Sequence, residues 1–395
     1  MVRFFISLII LLFCCTSCSE DAKYIPITQN QPIISLPETP YNYANLNLPY
    51  HFTVNDGGSF VSSINGIDNT PTDNPVTDAG ATLGRVLFYD VALSQNRTIA
   101  CGSCHRQELA FTDSPVKSLG FNQVPTRRNS ISLVNQRYYF RGRFFWDEKA
   151  TTLEDQVLQP ILDHNEMGLT ESEIIQRISE RPFYSNLFLQ AFGSGQITNA
   201  RVSSALSQFI RSIVSSQSKY DDGRMQVNSR LQPFPNFTEA ENQGKALFLK
   251  TVAQGGAGCI NCHATEAFVS VNSGPKNNGL DLASTNDLGA FETFPTNNSM
   301  KGAFKIPTLR NIALGVPYMH DGRFQTLEQV VEHYNSGVKN HPNLSSFLKD
   351  AQGNPQQLNL TEQQKAALVA FLRTLTDPNI LHNEKWSDPF INQHL

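Results

Sequence analysis

Apolar residues recur at helical spacing in several segments of the chain. One stripe follows Thr170, a second follows Ala200, and a last one follows Thr361 and ends near Pro378, which cannot continue a helix. A sustained alternation of apolar and polar positions, the mark of a half-buried strand, is missing from the sequence. The pattern therefore predicts a mainly α fold with long loops. The stripes contain Ile174, Ile175 and Ile178, then Val202, Leu206, Phe209, Ile210 and Ile213, and finally Ala366, Leu368, Val369, Phe371 and Leu372.

Capping boxes mark the expected starts of these helices. In such a box a Thr or Ser is followed three residues later by Glu or Gln, and the two side chains bond to each other's backbone amides. Each predicted box stands ahead of an apolar run, so it predicts where a helix begins. The pairs are Thr151 with Glu154, Thr170 with Glu173, Thr238 with Glu241, Thr326 with Gln329 and Thr361 with Gln364.

The first residues are typical of an export signal. Arg3 supplies a positive charge, and the apolar run that follows is too short to span a bilayer comfortably. The residues before Cys18 resemble a relaxed bacterial lipobox, although an ordinary cleaved signal is the alternative. We expect a lipoprotein signal peptide over 1–18, lipidation at Cys18, and a cell-envelope location, either periplasmic or on the outer membrane. Residues 19–75 are rich in Pro, Asn, Thr and Ser, which predicts an extended tether.

The four cysteines outside the signal region all lie in two short motifs. Cys101-Gly-Ser-Cys104-His105 and Cys259-Ile-Asn-Cys262-His263 both read C-x-x-C-H. This is the attachment signature of a c-type haem, in which both thiols bond one porphyrin and the histidine binds its iron. A thioredoxin-like pair or half of a zinc site does not require a histidine directly after the second cysteine. We therefore expect two covalent haems c.

The two motifs also suggest a chain that is doubled in plan. Each half contains helix, a haem motif, a long irregular stretch and more helix, and a Pro-rich stretch at Pro233 precedes the Thr238 cap. We expect an N-terminal haem domain over 76–235 and a C-terminal haem domain over 236–395, with the haems near their interface. The composition is globular, with 40% hydrophobic and 17% charged residues, and the net charge of −4 favours no nucleic acid.

The motifs around the haem signatures resemble those of the bacterial di-haem cytochrome c peroxidases, and within them the MauG-like branch. The resemblance extends over roughly 75–377. It implies that hydrogen peroxide is reduced at the N-terminal haem with electrons that arrive through the C-terminal haem. The matching segments are Leu83-Gly-Arg-Val-Leu-Phe88, Arg128-Asn-Ser130, Phe145-Trp-Asp147, Gln156, Pro160, Glu166, Phe304-Lys-Ile-Pro-Thr-Leu-Arg-Asn311, Pro317-Tyr-Met-His-Asp-Gly322 and Leu327-Glu-Gln-Val-Val-Glu332.

The resemblance assigns catalytic roles at the first haem. Glu166 matches the acid–base glutamate that moves a proton between the two oxygens of peroxide, and burial beside a haem would raise its pKa. Gln156 and Pro160 match residues that line the same pocket. Trp146 matches the tryptophan between the haems, which would relay electrons. By residue type alone, Glu166 would be a surface carboxylate and Trp146 a core residue.

Two departures from the peroxidase pattern are informative. Phe121 stands where peroxidases that need reductive activation have a distal histidine, so we expect an open site opposite His105. At the C-terminal haem, Tyr334 replaces a methionine ligand, as in MauG-like proteins, and would join His263 on the iron and lower its potential. His320 would lie beside this haem. The alternative ligands are Met319, Met300 and His333.

The resemblance also implies calcium between the haems, with Asn129 as a side-chain ligand and Gly315 and Pro317 as carbonyl ligands. The expected partners are hydrogen peroxide and a small electron donor, either a c-type cytochrome or a cupredoxin, and a homodimer is one assembly that the family allows. Two other functions stay open. The protein would oxidise residues of a partner protein, as MauG does, or it would be a membrane-anchored electron carrier with both irons six-coordinate.

Overall fold

We analysed a computed structural model of the chain, which describes residues 32–53, 64, 66–270 and 274–391. Twelve α-helices lie in this described part, joined by long loops that contain short 3-10 turns and one π-helical turn. The helices are α1 Tyr50–Thr53, α2 Asp78–Tyr89, α3 Cys101–Cys104, α4 Leu153–Leu162, α5 Glu171–Ser179, α6 Phe183–Phe192, α7 Asn199–Ser212, α8 Lys219–Arg224, α9 Glu239–Leu249, α10 Leu327–Glu332, α11 Glu362–Arg373 and α12 Pro378–His382.

The described residues form isolated β-bridges but no strand, so the prediction of a mainly α fold is confirmed. Helix starts follow the capping chemistry closely. Thr170, Thr238 and Thr361 each form the predicted box, and Thr326 accepts a hydrogen bond from the Gln329 amide. A side-chain oxygen at this position satisfies a backbone N–H that has no partner inside the helix.

The predicted box at Thr151 is wrong by one residue. The N-cap of α4 is Thr152, whose hydroxyl accepts from the Asp155 amide at 3.0 Å. Two threonines stand side by side here, and each has an acidic residue three positions on. The local pattern therefore fits both starts, and in the structure the cap is Thr152, directly before the buried Leu153.

In the first of two main hydrophobic clusters, α2 crosses α7 at very short range. A Cβ added at Gly84 would lie 2.0 Å from the Ala205 carbonyl oxygen, so only glycine permits this approach. Phe88 and Phe209 pack beside the crossing with ring centroids 5.1 Å apart. Cys101, which begins α3 and the first C-x-x-C-H motif, packs against this cluster.

The second cluster contains the same kind of close helix crossing at a glycine. Helix α9 crosses α11 at Gly244, where an added Cβ would lie 1.9 Å from the Ala367 carbonyl oxygen. Phe248 and Phe371 flank this crossing with ring centroids 5.1 Å apart. The equivalent helix pairs, each with one glycine and two phenylalanines, agree with a chain that is doubled in plan.

The clusters do not divide the chain at residue 235. The C-terminal segment packs into the first cluster, with Trp386 only 2% exposed and its indole N–H donating to Ser212 Oγ at 3.3 Å. The Arg85 side chain donates to the Ser387 carbonyl at 2.6 Å. Tyr220 and Phe234, placed by the sequence in the first half, pack in the second cluster. Long-range packing of buried aromatic rings decides these memberships, and no local pattern reveals it.

The structure describes residues 32–53, 64 and 66–75 of the predicted tether. Residues 32–53 are largely extended and pack against the protein, since Tyr43 and Phe52 are fully buried. The Tyr43 amide donates to Asp78 at 2.7 Å, and the Ser35 amide donates to the Pro389 carbonyl at 2.7 Å.

The predicted signal peptide and Cys18 lie outside the described residues. Within the described part, no helix is both long and apolar enough to cross a membrane.

Candidate active site

The first C-x-x-C-H motif presents three donor groups side by side. Cys101 and Cys104 are free, half-buried thiols at the two ends of α3, and burial raises the pKa of each to about 12. His105 follows directly, and its Nδ1–H donates to the Phe111 carbonyl at 3.0 Å. Because this bond fixes the ring, Nε2 is left for a metal. Burial also lowers the pKa of His105, which favours the neutral imidazole that ligates iron.

A cavity of about 400 Å³ opens from this motif. Both thiols and His105 line it, and most of the remaining wall is apolar. A space of this size bounded by two thiols and an imidazole fits a covalently attached porphyrin, whose faces are apolar. The apolar lining includes Phe88, Ile99, Leu133, Phe144, Phe145, Leu153, Val157, Leu206 and Ile210.

Glu166 also lines this cavity. Burial, with a smaller contribution from Asp163, raises the pKa of its carboxyl group above that of an ordinary glutamate. The backbone holds it firmly, since the Phe121 amide donates to the Glu166 carbonyl at 2.8 Å. At Gly120 an added Cβ would lie 1.6 Å from the Asn165 carbonyl oxygen, so only glycine allows this pairing. The backbone that carries the Glu166 carboxyl group is therefore held in place at the cavity wall.

Gln156 and Pro160 reach the cavity from α4. They stand four residues apart, which places them on one face of the helix. Pro160 lies in the last turn, where it lacks a backbone N–H, and its carbonyl accepts from the Met167 amide at 3.2 Å. This bond ties the end of α4 to the loop that carries Glu166. The structure thus brings the three residues that the sequence singled out into the same cavity as His105.

Phe121 is not directed into this cavity. Its ring packs against Gly168, where an added Cβ would lie 2.5 Å from the ring. Among the described residues that line the cavity, His105 is the only histidine. His164, four residues after Pro160, has a side chain that is 88% exposed. The described residues therefore place no second imidazole in the cavity that His105 lines.

The second motif repeats the donor set of the first. Cys259 and Cys262 are free and half-buried, and burial raises the pKa of their thiols to about 12 and about 11. The His263 Nδ1–H donates to the Phe268 carbonyl at 3.2 Å. Burial lowers the pKa of this imidazole to about 4, so it stays neutral near pH 7. This donor set fits a second covalently bound haem.

Tyr334 and Met319 converge near the second motif. The amide nitrogen of Asn278 lies 3.4 Å from the Tyr334 hydroxyl and 3.5 Å from the Met319 sulfur. Burial raises the pKa of Tyr334 to about 12, and the nearby Cys259 and Cys262 thiols add to that shift. His333, another alternative ligand, has its Nε2 3.0 Å from the Asn278 carbonyl and is engaged there. These contacts favour Tyr334 and Met319 over His333 as the second ligand.

A chain of polar and aromatic contacts connects the two halves. The Trp146 indole N–H donates to the Asn129 carbonyl at 2.8 Å, and the Asn129 amide donates to the His320 carbonyl at 2.8 Å. Trp146 meets the His320 ring edge-on at 6.4 Å between centroids, and His320 stacks on Phe304 at 3.6 Å. Burial lowers the pKa of His320 to about 4. Trp146 itself lines the cavity.

The sequence of this chain is similar to known proteins along most of its length. Residues 78–228 match the family model described as di-haem cytochrome c peroxidase. The methylamine utilization protein MauG of Methylorubrum extorquens is 34% identical over 307 residues, which are 77% of this chain and 80% of that protein. The chain belongs to the MauG and di-haem cytochrome c peroxidase family. Cytochrome c551 peroxidase of Nitrosomonas europaea is 31% identical over 308 residues, covering 75% and 79% of the two chains.

Solved structures agree with this di-haem peroxidase assignment. A MauG-like protein associated with microbial copper homeostasis is 32% identical, with a TM-score of 0.72 over 87% of this chain and 99% of that one. The di-haem peroxidase BthA from Burkholderia thailandensis shares the fold, with a TM-score of 0.64 at 22% identity over 91% of this chain and 99% of that one. The family, fold and enzyme class predicted from the sequence are confirmed, and membership implies two c-type haems.

Two charged residues of this di-haem peroxidase were assigned no role by the sequence. Arg128 donates to both oxygens of Asp287 at 2.8 and 2.7 Å and to Asp147 at 2.6 Å. Lys305 is buried and lines the cavity. Both lie inside segments that carry the family resemblance, but residue type alone does not reveal that they face a cavity. The pairing of Arg128 with Asp287 is distant in sequence, so no local pattern predicts it.

Proposed function

We propose that this di-haem peroxidase reduces hydrogen peroxide to water at the His105 haem with electrons from a small redox protein, a c-type cytochrome or a cupredoxin. The observation that carries the proposal is the single cavity that holds His105, Glu166 and Gln156 and no second histidine among the described lining residues. Such a site leaves room for a small substrate opposite the imidazole. The Glu166 carboxyl group, which can carry a proton, lines the same cavity.

Cys101, Cys104 and His105 would hold the first haem, and Cys259, Cys262 and His263 the second. When bound, the haems supply the iron centres that exchange electrons with peroxide and with the donor. Glu166 would accept a proton from one oxygen of the substrate and return it to the other, which makes the departing oxygen leave as water. Gln156 would orient the substrate through its amide group, and Pro160 would keep the end of α4 in place.

Trp146 would conduct electrons between the two haems. It lines the cavity and contacts His320, which stacks on Phe304 on the side of the C-terminal half. An indole is readily oxidised, and its hydrogen bond to the Asn129 carbonyl fixes its orientation. In this scheme the C-terminal haem receives electrons from the donor, and the His105 haem uses them.

The proposal is tested by steady-state turnover. The purified holoprotein, mixed with hydrogen peroxide and reduced cytochrome c or a reduced cupredoxin, should oxidise two donor molecules for each peroxide consumed. Peroxide-dependent oxidation of a partner protein without donor turnover would support the second candidate, which the 34% identity to a methylamine utilization protein favours. Failure of both reactions would leave only the electron carrier.

Tyr334 would be the second iron ligand of the C-terminal haem. A phenolate stabilises the oxidised iron more than a thioether does. We therefore expect Tyr334→Phe to raise the reduction potential of this haem and to change its absorption spectrum, whereas Met319→Leu should leave both unchanged. Spectroelectrochemical titration of the two variants measures this. The reverse result would assign the ligand to Met319.

We infer a calcium ion between the halves, held by Asn129 and by the carbonyls of Gly315 and Pro317. The Asn129 amide nitrogen donates to the Val116 carbonyl at 3.1 Å, which leaves the amide oxygen for a cation. Among the described residues, no cluster of three His, Cys, Asp or Glu side chains offers an alternative metal site.

We further propose export to the cell envelope, a lipid anchor at Cys18 and a homodimer.

A further inference from the structure

Lys305 is a buried cation in the wall of the peroxide cavity. It is 3% exposed. Its Nζ lies 3.9 Å from the ring centroid of Tyr139 and 4.8 Å from that of Phe144. Its backbone amide donates to the Trp146 carbonyl at 2.8 Å. The side chain is therefore held in place next to the proposed electron path.

Few protein groups offset the positive charge of the Lys305 ammonium group. Nζ donates to Gln136 Oε1 at 2.6 Å, and among the described residues no carboxylate lies within ion-pair distance of it. Glu148 is the acid that acts on it electrostatically, but this carboxylate is engaged by the Tyr139 hydroxyl and the Arg141 guanidinium. Burial lowers the pKa of Lys305 to about 7. A buried ammonium without a counter-charge is unfavourable, so an anion beside it would stabilise the charged form.

Other cations around the cavity do not share this property. The Arg128 guanidinium is paired with Asp287 and Asp147, and Arg127 is paired with Glu292. Lys149 is exposed to solvent. Glu166 is not the missing partner, because the charges that act on it are those of Asp163 and Lys149. None of these groups places a carboxylate within ion-pair distance of Lys305, whereas a carboxylate of a molecule bound in the cavity would complement it.

We infer that the Lys305 ammonium, oriented by Gln136, forms an ion pair with a propionate carboxylate of the haem attached at Cys101 and Cys104. This rests on the proposed function. A haem c is fixed to the protein through its vinyl edge, and its two carboxylates lie on the opposite edge. The cavity contains both the thiols and Lys305, so one bound porphyrin would contact both. The pair would hold the haem next to Trp146 and favour its reduced state through the nearby positive charge.

Reduction potentials of the full-length holoprotein test this pair. In Lys305→Met, the ferric-to-ferrous ratio of the His105 haem at a fixed solution potential should rise about tenfold, a fall of about 59 mV for one electron. Lys305→Arg keeps the charge and should restore most of the difference. Resonance Raman spectra should show altered propionate bending bands in Lys305→Met only. Unchanged potentials and bands in a variant with both haems would overturn the inference.

Lys245 offers a matched control. It is also buried, its Nζ packs 3.9 Å from the Phe234 ring centroid, and it donates to the Arg230 and Gln232 carbonyls at 2.7 and 2.5 Å. Because these carbonyls satisfy it, Lys245→Met should leave the His105 haem potential unchanged. A fall equal to that of Lys305→Met would show that losing any buried lysine has this effect, and would contradict the inference.

A small soluble anion in the cavity is the other source of a carboxylate. Titrating the wild-type holoprotein with acetate distinguishes the two, because a propionate pair predicts a potential that is independent of acetate. A potential that follows the acetate concentration would assign Lys305 to a soluble anion and overturn the pair. A haem assay that finds no haem at His105 would instead overturn the proposed function on which the inference rests.

Discussion

Replacing Glu166 by Gln should slow the reaction of the holoprotein with hydrogen peroxide by about 10²–10⁴-fold. The amide keeps the size of the side chain but can no longer accept the proton from the substrate. The backbone contacts of Glu166 involve its own N–H and carbonyl, so the substitution leaves them intact. The absorption spectra of both haems should therefore stay the same. Stopped-flow absorbance after mixing with peroxide measures the rate.

The pH dependence of this rate gives a second readout. Glu166 must be ionised to act as a base, so the rate should rise with pH through its pKa. Because burial raises that pKa, the midpoint should lie above 4.5, the ordinary value for a glutamate, and Glu166→Gln should lack this limb. Glu171, exposed at the start of α5, is the matched control, and Glu171→Gln should react at the normal rate. A wild-type rate in Glu166→Gln would refute the acid–base role.

Asp221→Asn should lower the free energy of unfolding by about 3–5 kcal/mol. Its carboxylate accepts from both terminal nitrogens of Arg310, at 2.6 and 2.9 Å, and lies 2.9 Å from His51 Nε2. Asp221, Arg310 and His51 are all buried. The substitution would leave a buried guanidinium without its counter-charge. It would also release the N-terminal segment that α1 anchors, because His51 belongs to that helix.

Urea denaturation of the holoprotein measures this change. Asp281→Asn is the control, because Asp281 pairs with Arg323 at 2.8 Å but its side chain is 57% exposed. Loss of this exposed pair should change stability by about 0–1 kcal/mol. Equal effects of the two substitutions would contradict the account of the buried pair.

The direction in which pH changes this difference in stability can also be predicted. The Arg310 guanidinium holds the pKa of Asp221 well below its usual 3.8, despite burial. A carboxylate whose folded-state pKa is depressed stabilises the fold above its unfolded pKa, and that contribution is lost as pH falls through the folded value. The difference between wild type and Asp221→Asn should therefore be constant from pH 7 to about pH 5 and shrink below about pH 4.

Motifs whose residues are close together in the sequence could be predicted from it. The two C-x-x-C-H motifs and the boxes at Thr170, Thr238 and Thr361 depend on residues within one or two turns, and the structure shows the same local arrangement. The family resemblance added Glu166 and Trp146, which the structure brings to one cavity with His105. Each of these residues lies in a segment whose pattern is local.

Long-range packing could not be predicted. The return of Trp386 to the first cluster, the burial of Tyr43 and the pairing of Arg128 with Asp287 join residues that are distant in sequence. Lys305 illustrates the physical reason. In sequence it is one lysine among ordinary polar and apolar neighbours, and only the fold reveals that its ammonium is buried and lacks an anion among the described residues.

In the proposed function, the protein keeps an open place opposite His105 beside an ionisable carboxylate. The most direct test mixes the oxidised, never reduced holoprotein with one equivalent of hydrogen peroxide and follows the haem bands. We expect two haems per chain, one high-spin and one low-spin, and an immediate spectral change that consumes the peroxide. Two low-spin, six-coordinate haems and no reaction would contradict it.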